Sequence, residues 1–343
     1  MEGHAVNATE SMIELEHLRK EFPGGAVAVG DLSMQIRRGE ICVLVGPSGC
    51  GKTTTMRMIN RLIEPTAGRI VVDGVEVTQM DPVELRRHIG YVIQNVGLFP
   101  HQTVSTNVGT VPRLLGWDKS ESAARVNELL NLVGLTESEY GSRYPDELSG
   151  GQRQRVGVAR ALAAGPKVLL MDEPFSAVDP LARDRLQMEF QKVQRKLGTT
   201  VVLVTHDVAE AVRLGDRIAV MSEGGVLEQF DTPSVILGRP ASDFVAGFVG
   251  EDRALTRLAV TTLQAGDIAP SREEGAPPSP SPDDVVLGSS LREAMAAVLD
   301  SQNGQVTVRD TAGHAVGTLD PDLLHAAFRR SLPPMSESSH VGA

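Results

Sequence analysis

The sequence is poor in several things that whole classes of function require. Aromatic residues fill only 3% of its 343 positions, with a single tryptophan, while 41% are hydrophobic. A sizeable core is therefore available, but it has to be aliphatic. Cysteine occurs twice, at Cys42 and Cys50, which argues against a secreted disulfide scaffold and for a reducing compartment. A bridge between them would need a contorted path around a strand end, so both read as free thiols. There is no run of about 18 apolar residues, so no transmembrane helix is coded. Met1–Glu10 has neither the basic nor the apolar region of a signal peptide. Basic residues are outnumbered, 33 Lys and Arg against 44 Asp and Glu, for a net charge of −11. That balance speaks against a broad nucleic-acid-binding face, though a local basic patch stays open.

The length predicts two domains, with three as the alternative, and no internal repeat with a period of about 20–50 residues is evident. Composition shifts near residue 253: 27 basic and 33 acidic residues lie up to that point, 6 and 11 beyond it, and the later part has no lysine. The segment 270–282 is dense in Pro and Ser and reads as a solvated linker or long loop. Residues 333–343 read as a disordered tail for the same reason. Before residue 253, short apolar runs alternate with helix-period stretches. Ile41–Val45, Val168–Met171 and Val201–Val204 read as buried strands, and Thr53–Leu62, Gly151–Ala164 and Leu181–Leu197 as helices. Buried aliphatic strands separated by helices imply a parallel sheet covered on both faces. The region before Gly39 and the stretch Gly68–Val77 alternate like antiparallel strands. The fold class expected is α/β with an antiparallel side-sheet.

Three motifs carry chemistry. Gly46-Pro47-Ser48-Gly49-Cys50-Gly51-Lys52-Thr53, with Thr54 next in the chain, matches the phosphate-loop pattern G-x-x-x-x-G-K-[ST]. Its glycines let successive backbone N–H groups turn toward phosphate oxygens, and the adjoining helix adds its positive end. Lys52 is placed to reach the β- and γ-phosphates, and Thr53 to offer a hydroxyl to Mg²⁺. Val168–Met171 then ends in Asp172-Glu173. A carboxylate at the tip of a parallel strand lies where such sheets bind ligands. Asp172 can hold Mg²⁺ through water, and Glu173 can act as general base on an attacking water. Finally, Leu148-Ser149-Gly150-Gly151-Gln152 opens a helix with Ser149 as N-cap and two glycines exposing N–H groups. By physics alone it is either an ordinary capped helix or a second anion-binding helix start.

The order Gly46–Thr53, Gln94, Leu148–Gln152, Asp172–Glu173, Ser176–Asp179 and His206 resembles the ATP-binding subunit of ABC transporters. The resemblance covers about 250 residues of the chain. It implies a P-loop ABC ATPase core over 11–253, with an antiparallel side-sheet and a helical subdomain, that binds ATP and Mg²⁺. It also implies a head-to-tail homodimer in which Ser149 and Gly151, within Ser149–Gln152, meet the γ-phosphate held by the other copy. Gln94 would touch Mg²⁺ and the water and sense a permease. Asp179 would link the two sites, and His206 would hold the γ-phosphate. Phe22 stands where the family places an adenine-stacking aromatic, more often tyrosine; as a residue it fits either that role or a core.

A finer resemblance lies in Met58–Pro65, Asp81–Arg87, Ile89–Gln94, Gly97–His101 and Val111–Trp117, which look like the quaternary-amine branch; residue 95 is Asn where that branch often has Gln. The implied function is an ATPase that energises an importer of glycine betaine, carnitine, choline or proline betaine. It would sit peripherally on the cytoplasmic face of the membrane, with integral permease subunits and an extracytoplasmic substrate-binding protein as partners. Phe99 and Trp117 are then either permease contacts or helical-subdomain core. Another small solute is the alternative cargo. A soluble DNA-repair or translation ATPase is a remote alternative, because only 53 residues separate Gln94 from Leu148 and there is one ATPase core.

Residues 254–332 read as helix, strand, turn, strand and helix, with Asp320 capping the last helix. That order resembles a single small α+β CBS module. The family's ribose-binding pattern is not intact, since Asp320 and Leu323 occupy its places. The module is therefore read either as a sensor or as a dimerisation and stability cap.

Overall fold

A computed structural model describes residues 11–93, 97–176, 178–270 and 284–332. The chain divides into two compact units between Phe230 and Asp231. Gln94, most of the Pro/Ser-rich segment 270–282 and the tail 333–343 lie outside the described residues.

In the first unit, β1 (Ser11–Glu21), β2 (Val27–Arg37), β4 (Ala67–Val72) and β5 (Val75–Glu76) form the antiparallel side-sheet, in the order β2-β1-β4-β5. The main sheet is built from β3 (Ile41–Val45), β6 (Ile89–Val92), β7 (Val168–Asp172), β8 (Thr200–Thr205), β9 (Arg217–Ser222) and β10 (Val226–Asp231). Its order is β10-β9-β3-β8-β7-β6, and the pairs β6–β7, β7–β8, β8–β3 and β3–β9 are parallel. All five residues of β3, all five of β7 and all six of β8 are buried. This is why they appear in sequence as unbroken apolar runs. Each fully buried Val, Leu or Ile contributes about 1.5–3 kcal/mol over its exposed state. Leu15, Leu18, Ile36, Leu44, Met56 and Val202 belong to one aliphatic core cluster. Both cysteines are buried and free.

Two helices start as the motifs dictate. The helix after the phosphate loop is Lys52–Ile59, and the one after Leu148 is Gly150–Leu162. The first ends earlier than the expected Leu62. Arg61 adopts a left-handed φ of 47°, and Arg86 donates to the carbonyls of Asn60 and Arg61 at 3.3 and 2.8 Å. Tertiary contacts thus stop a helix that its apolar spacing would continue. Between β6 and Gly150–Leu162 lie short helices and the longer Lys119–Leu132, which form the helical part of this unit.

In the second unit, Pro233–Gly238 packs on Arg253–Val260, so the stretch from Asp231 to Arg253 groups with the later part of the chain. β11 (Ala269–Pro270), β12 (Val285–Val286), β13 (Val306–Arg309) and β14 (Ala315–Leu319) form a sheet of order β11-β14-β13-β12, with only β12 and β13 parallel among the described pairs. Helices Leu291–Asp300 and Pro321–Arg330 cover it. Ser290 and Glu293 make a capping box on the first. Asp320 caps the second by accepting from the Leu323 N–H at 2.9 Å. Leu291, Val298, Val308, Leu319 and Leu324 form the small core. Among the described residues no helix is long and apolar enough to cross a membrane.

Candidate functional site

The parallel register brings the motifs together. Val45 pairs with Thr205, and Asp172 with Val204. The phosphate loop, the acid pair and His206 therefore leave one edge of the sheet on three neighbouring strands, although they lie far apart in sequence. The loop closes only with glycine at its ends. A Cβ on Gly46 would meet the Met221 carbonyl oxygen at 2.1 Å. One on Gly51, whose φ is 98°, would meet the Ala28 carbonyl oxygen at 2.3 Å.

Pro47, Ser48 and Gly49 are exposed along the loop, while Cys50, Gly51 and Lys52 are buried. Lys52 is only 7% exposed, and its ammonium donates to the carbonyls of Gly46 and Pro47 at 2.7 and 2.8 Å, with Cys50 Sγ at 3.5 Å. Thr53 Oγ1 donates to Asp172 Oδ1 at 3.1 Å. Burial pushes the Asp172 carboxyl above the usual carboxylate range, the Thr53 hydrogen bond opposes this, and neighbouring Glu173 adds to it. A buried oxygen cluster that resists its own negative charge suits a hard cation.

Glu173 stands in a strained left-handed backbone conformation, φ 47°, which non-glycine residues rarely adopt. Its N–H donates to the Val204 carbonyl at 2.9 Å, tying β7's exit to β8. Its Oε1 lies 2.9 Å from His206 Nδ1. The His206 side chain is 64% exposed and that of Glu173 20%, so the pair faces outward at the sheet edge. Lys52, Thr53, Asp172, Glu173 and His206 are thus linked by short contacts or adjacency. Asp207 fixes the turn beyond His206: its N–H donates to Thr205 Oγ1, and its carboxylate accepts from the N–H groups of Ala209 and Glu210.

The other expected site residues stand apart from that cluster. Ser149 caps Gly150–Leu162 reciprocally with Gln152: Ser149 N–H donates to Gln152 Oε1 at 2.8 Å and Gln152 N–H to Ser149 Oγ at 3.2 Å. The Gln152 amide oxygen thus serves its own helix start. Asp179 is exposed and lines a cavity of about 660 Å³ with Arg155, Arg185 and Glu189. Phe22 is 39% exposed beside the Lys20 ammonium, 5.2 Å from its ring centre, so it is no core residue. Phe99 is likewise 41% exposed, whereas Trp117 is half-buried. The fully buried Asn107 holds the Phe99 stretch from inside, bonding both the N–H and the carbonyl of Phe99 and the carbonyls of Gln102 and Thr103.

The ABC transporter family model matches residues 29–176. Over 311 residues the chain is 48% identical to the osmoprotectant import ATP-binding protein OsmV of Salmonella typhimurium, a match covering 89% of this chain and 78% of OsmV. The chain belongs to the ATP-binding proteins of ABC transporters. As a member of that family it is an ATPase with the α/β cassette fold, as the order of motifs implied. It is also 54% identical over 244 residues to the glycine betaine/carnitine/choline transport ATP-binding protein OpuCA of Bacillus subtilis, covering 71% of this chain and 64% of OpuCA. The OsmV match is too long to fit in the first unit and extends well into the second. Among solved structures, the dimeric post-hydrolysis state of the ATP-binding cassette MJ0796, bound to ADP and Pi, aligns with a TM-score of 0.60 at 33% identity. That alignment covers 64% of this chain and 98% of MJ0796.

Among the buried polar residues of this cassette that sequence reasoning missed are Gln154 and Glu210. Each sits among buried apolar neighbours on its helix, Gln154 with Val158 and Ala161, Glu210 with Leu214. A polar side chain on an apolar stripe was the available signal. Gln187 Nε2 donates to Glu210 Oε1 at 3.0 Å, Thr205 bonds the same carboxyl, and Arg213 holds Gln187 Oε1 at 3.0 Å. Burial raises the Glu210 carboxyl above its ordinary value, with the Thr205 bond opposing. A raised acid binds its proton more tightly folded than unfolded. Stability therefore falls as pH rises from the ordinary glutamate value through the raised one. Glu210→Gln keeps an acceptor for Gln187 and removes the charge. Its urea midpoint, measured against wild type, should improve between pH 5 and pH 7.5; a constant difference at both would contradict this.

Proposed function

We propose that this protein is the ATP-hydrolysing subunit of an importer for osmoprotectant quaternary amines. The observation that carries the hydrolytic part is the Glu173–His206 contact at the sheet edge that also presents Lys52 and Asp172. Glu173 takes a proton from water as the water oxygen bonds to the γ-phosphorus. The bond from that phosphorus to the β,γ-bridging oxygen breaks, leaving ADP and phosphate. His206 stabilises charge on the γ-phosphoryl oxygens, and Lys52 the β- and γ-oxygens. The donor set of Thr53 and Asp172, oxygens only, fits Mg²⁺, which when bound offsets phosphate charge. Gln94 is assigned to the same metal and the water. Phe22, exposed at its turn, stacks on adenine.

Two copies pack head to tail, Ser149 and Gly151 of one completing the site of the other, with Asp179 between them; the dimeric state of MJ0796 supports this. Phe99, held outward by Asn107, and Trp117 face the permease. The subunit lies on the cytoplasmic face through that permease, and an extracytoplasmic binding protein supplies selectivity. Residues 254–332 act as a single CBS-like regulatory module. Asp320 spends its carboxylate on a helix cap there, which favours a dimerising or sensing role over ribose binding.

The cargo class rests on OsmV, named for osmoprotectant import, and OpuCA, named for glycine betaine/carnitine/choline transport, both about half identical to this chain over the aligned residues. The test is reconstitution with the cognate permease and binding protein, with ATPase activity and uptake measured for glycine betaine, carnitine, choline, proline betaine and spermidine at low and high salt. Uptake of at least one quaternary amine, coupled to hydrolysis, is expected. A response to spermidine alone would move the protein to another cargo. ATPase activity stimulated by DNA and by none of these solutes would overturn the transport reading.

A further inference from the structure

Helix Gly150–Leu162 does more than present Ser149. One turn in from its start, Gln154 is fully buried. Gln154 Nε2 donates to the backbone carbonyl of Glu173 at 3.1 Å. Its Oε1 has no hydrogen-bond partner among the described residues. An orphaned buried acceptor is unfavourable, and a methionine of the same length would avoid it. The amide's retained bond is therefore the one to Glu173.

That bond lands where the backbone is strained. A glutamate at φ 47° persists only where its surroundings hold it. The Glu173 N–H is held by Val204, and its carbonyl receives Ser176 Oγ at 2.9 Å from the same turn. Val204 holds the N–H from β8; of the donors named to the carbonyl, Gln154 is the one from outside the turn, on the helix whose first turn carries Ser149–Gln152. We propose that Gln154 is a positioning residue, which locks the Glu173 peptide and ties the base of one site to the Ser149 helix start that serves the other. The proposal rests on Glu173 being the general base. Gln154 lies two positions after Gln152 on the same helix, so movement of the helix start reaches the Glu173 peptide directly. A misplaced base loses rate without losing substrate.

The test is Gln154→Met, which keeps shape and removes the donor, in the full chain. ATP affinity and KM should stay within about twofold, and kcat should fall about tenfold, the effect of one lost hydrogen bond. The melting temperature should hold or rise, since the orphaned acceptor goes too. In a Glu173→Gln background, Gln154→Met should change the residual rate by less than about twofold, because its effect runs through Glu173. Wild-type kcat in Gln154→Met, with Glu173→Gln inactive, overturns the positioning role and leaves the base intact. A tenfold loss that persists in the Glu173→Gln background overturns it as well. An active Glu173→Gln overturns the reading beneath both. If Gln154→Met does not fold, Gln154→Leu, which also removes the donor without burying a new polar group, carries the same comparison.

Discussion

Glu173→Gln should bind ATP at close to wild-type affinity and lose turnover by about 10²–10⁴-fold, the usual share of a general base. The amide has the shape of the carboxylate and can still bond His206, whose Nδ1 lies 2.9 Å from Glu173 Oε1. The φ of 47° and the bonds to Val204 and Gln154 belong to the backbone, so the turn is kept. What is lost is the proton acceptor for water. With hydrolysis stopped and binding intact, ATP should hold two copies together. Size-exclusion chromatography with light scattering should then show an ATP-dependent dimer that outlasts the wild-type one. Turnover at the wild-type rate would remove Glu173 from the reaction.

The sequence made the main sheet legible because β3, β7 and β8 are buried on both faces, so each is an unbroken apolar run bounded by a motif. The side-sheet was legible from alternation, since one face of β1 and β2 packs on the core. The end of Lys52–Ile59 was not. Ile59, Leu62 and Ile63 continue a helical period, and the stop comes from Arg86 gripping the carbonyls of Asn60 and Arg61 from another helix. The candidate site divides in the same way. Lys52, Thr53, Asp172 and Glu173 announce themselves by motif. That Thr53 touches Asp172 across 119 positions depends on the register of β3, β8 and β7. Gln154 and Glu210 were hidden because a polar residue inside an apolar stripe looks like an interruption until its buried partner is seen. The choice between core and surface for Phe22 and Phe99 depended on exposure, which spacing does not encode.

Lys52→Ala should do the opposite of Glu173→Gln, abolishing binding before chemistry is reached. The Lys52 ammonium is nearly buried and satisfied by the carbonyls of Gly46 and Pro47. Those bonds hold the charge at the loop, where phosphate oxygens can take over as acceptors. Each charge-assisted hydrogen bond contributes about 1.5–3 kcal/mol. Losing contacts to both β- and γ-phosphates should therefore weaken ATP binding by at least about a hundredfold. ADP keeps only the β-phosphate and should suffer less, so the ATP-over-ADP preference should shrink with the affinity. Loss of the loop's shape would hit both nucleotides alike, and calorimetric titration with each separates the two causes. Lys52→Arg should not restore binding, because a planar guanidinium is larger than the ammonium it replaces and meets two carbonyls in a closed loop. Wild-type ATP affinity in Lys52→Ala would place the phosphates away from this loop. A variant that binds and does not turn over, beside one that does not bind, would then assign the two steps to Glu173 and Lys52 separately.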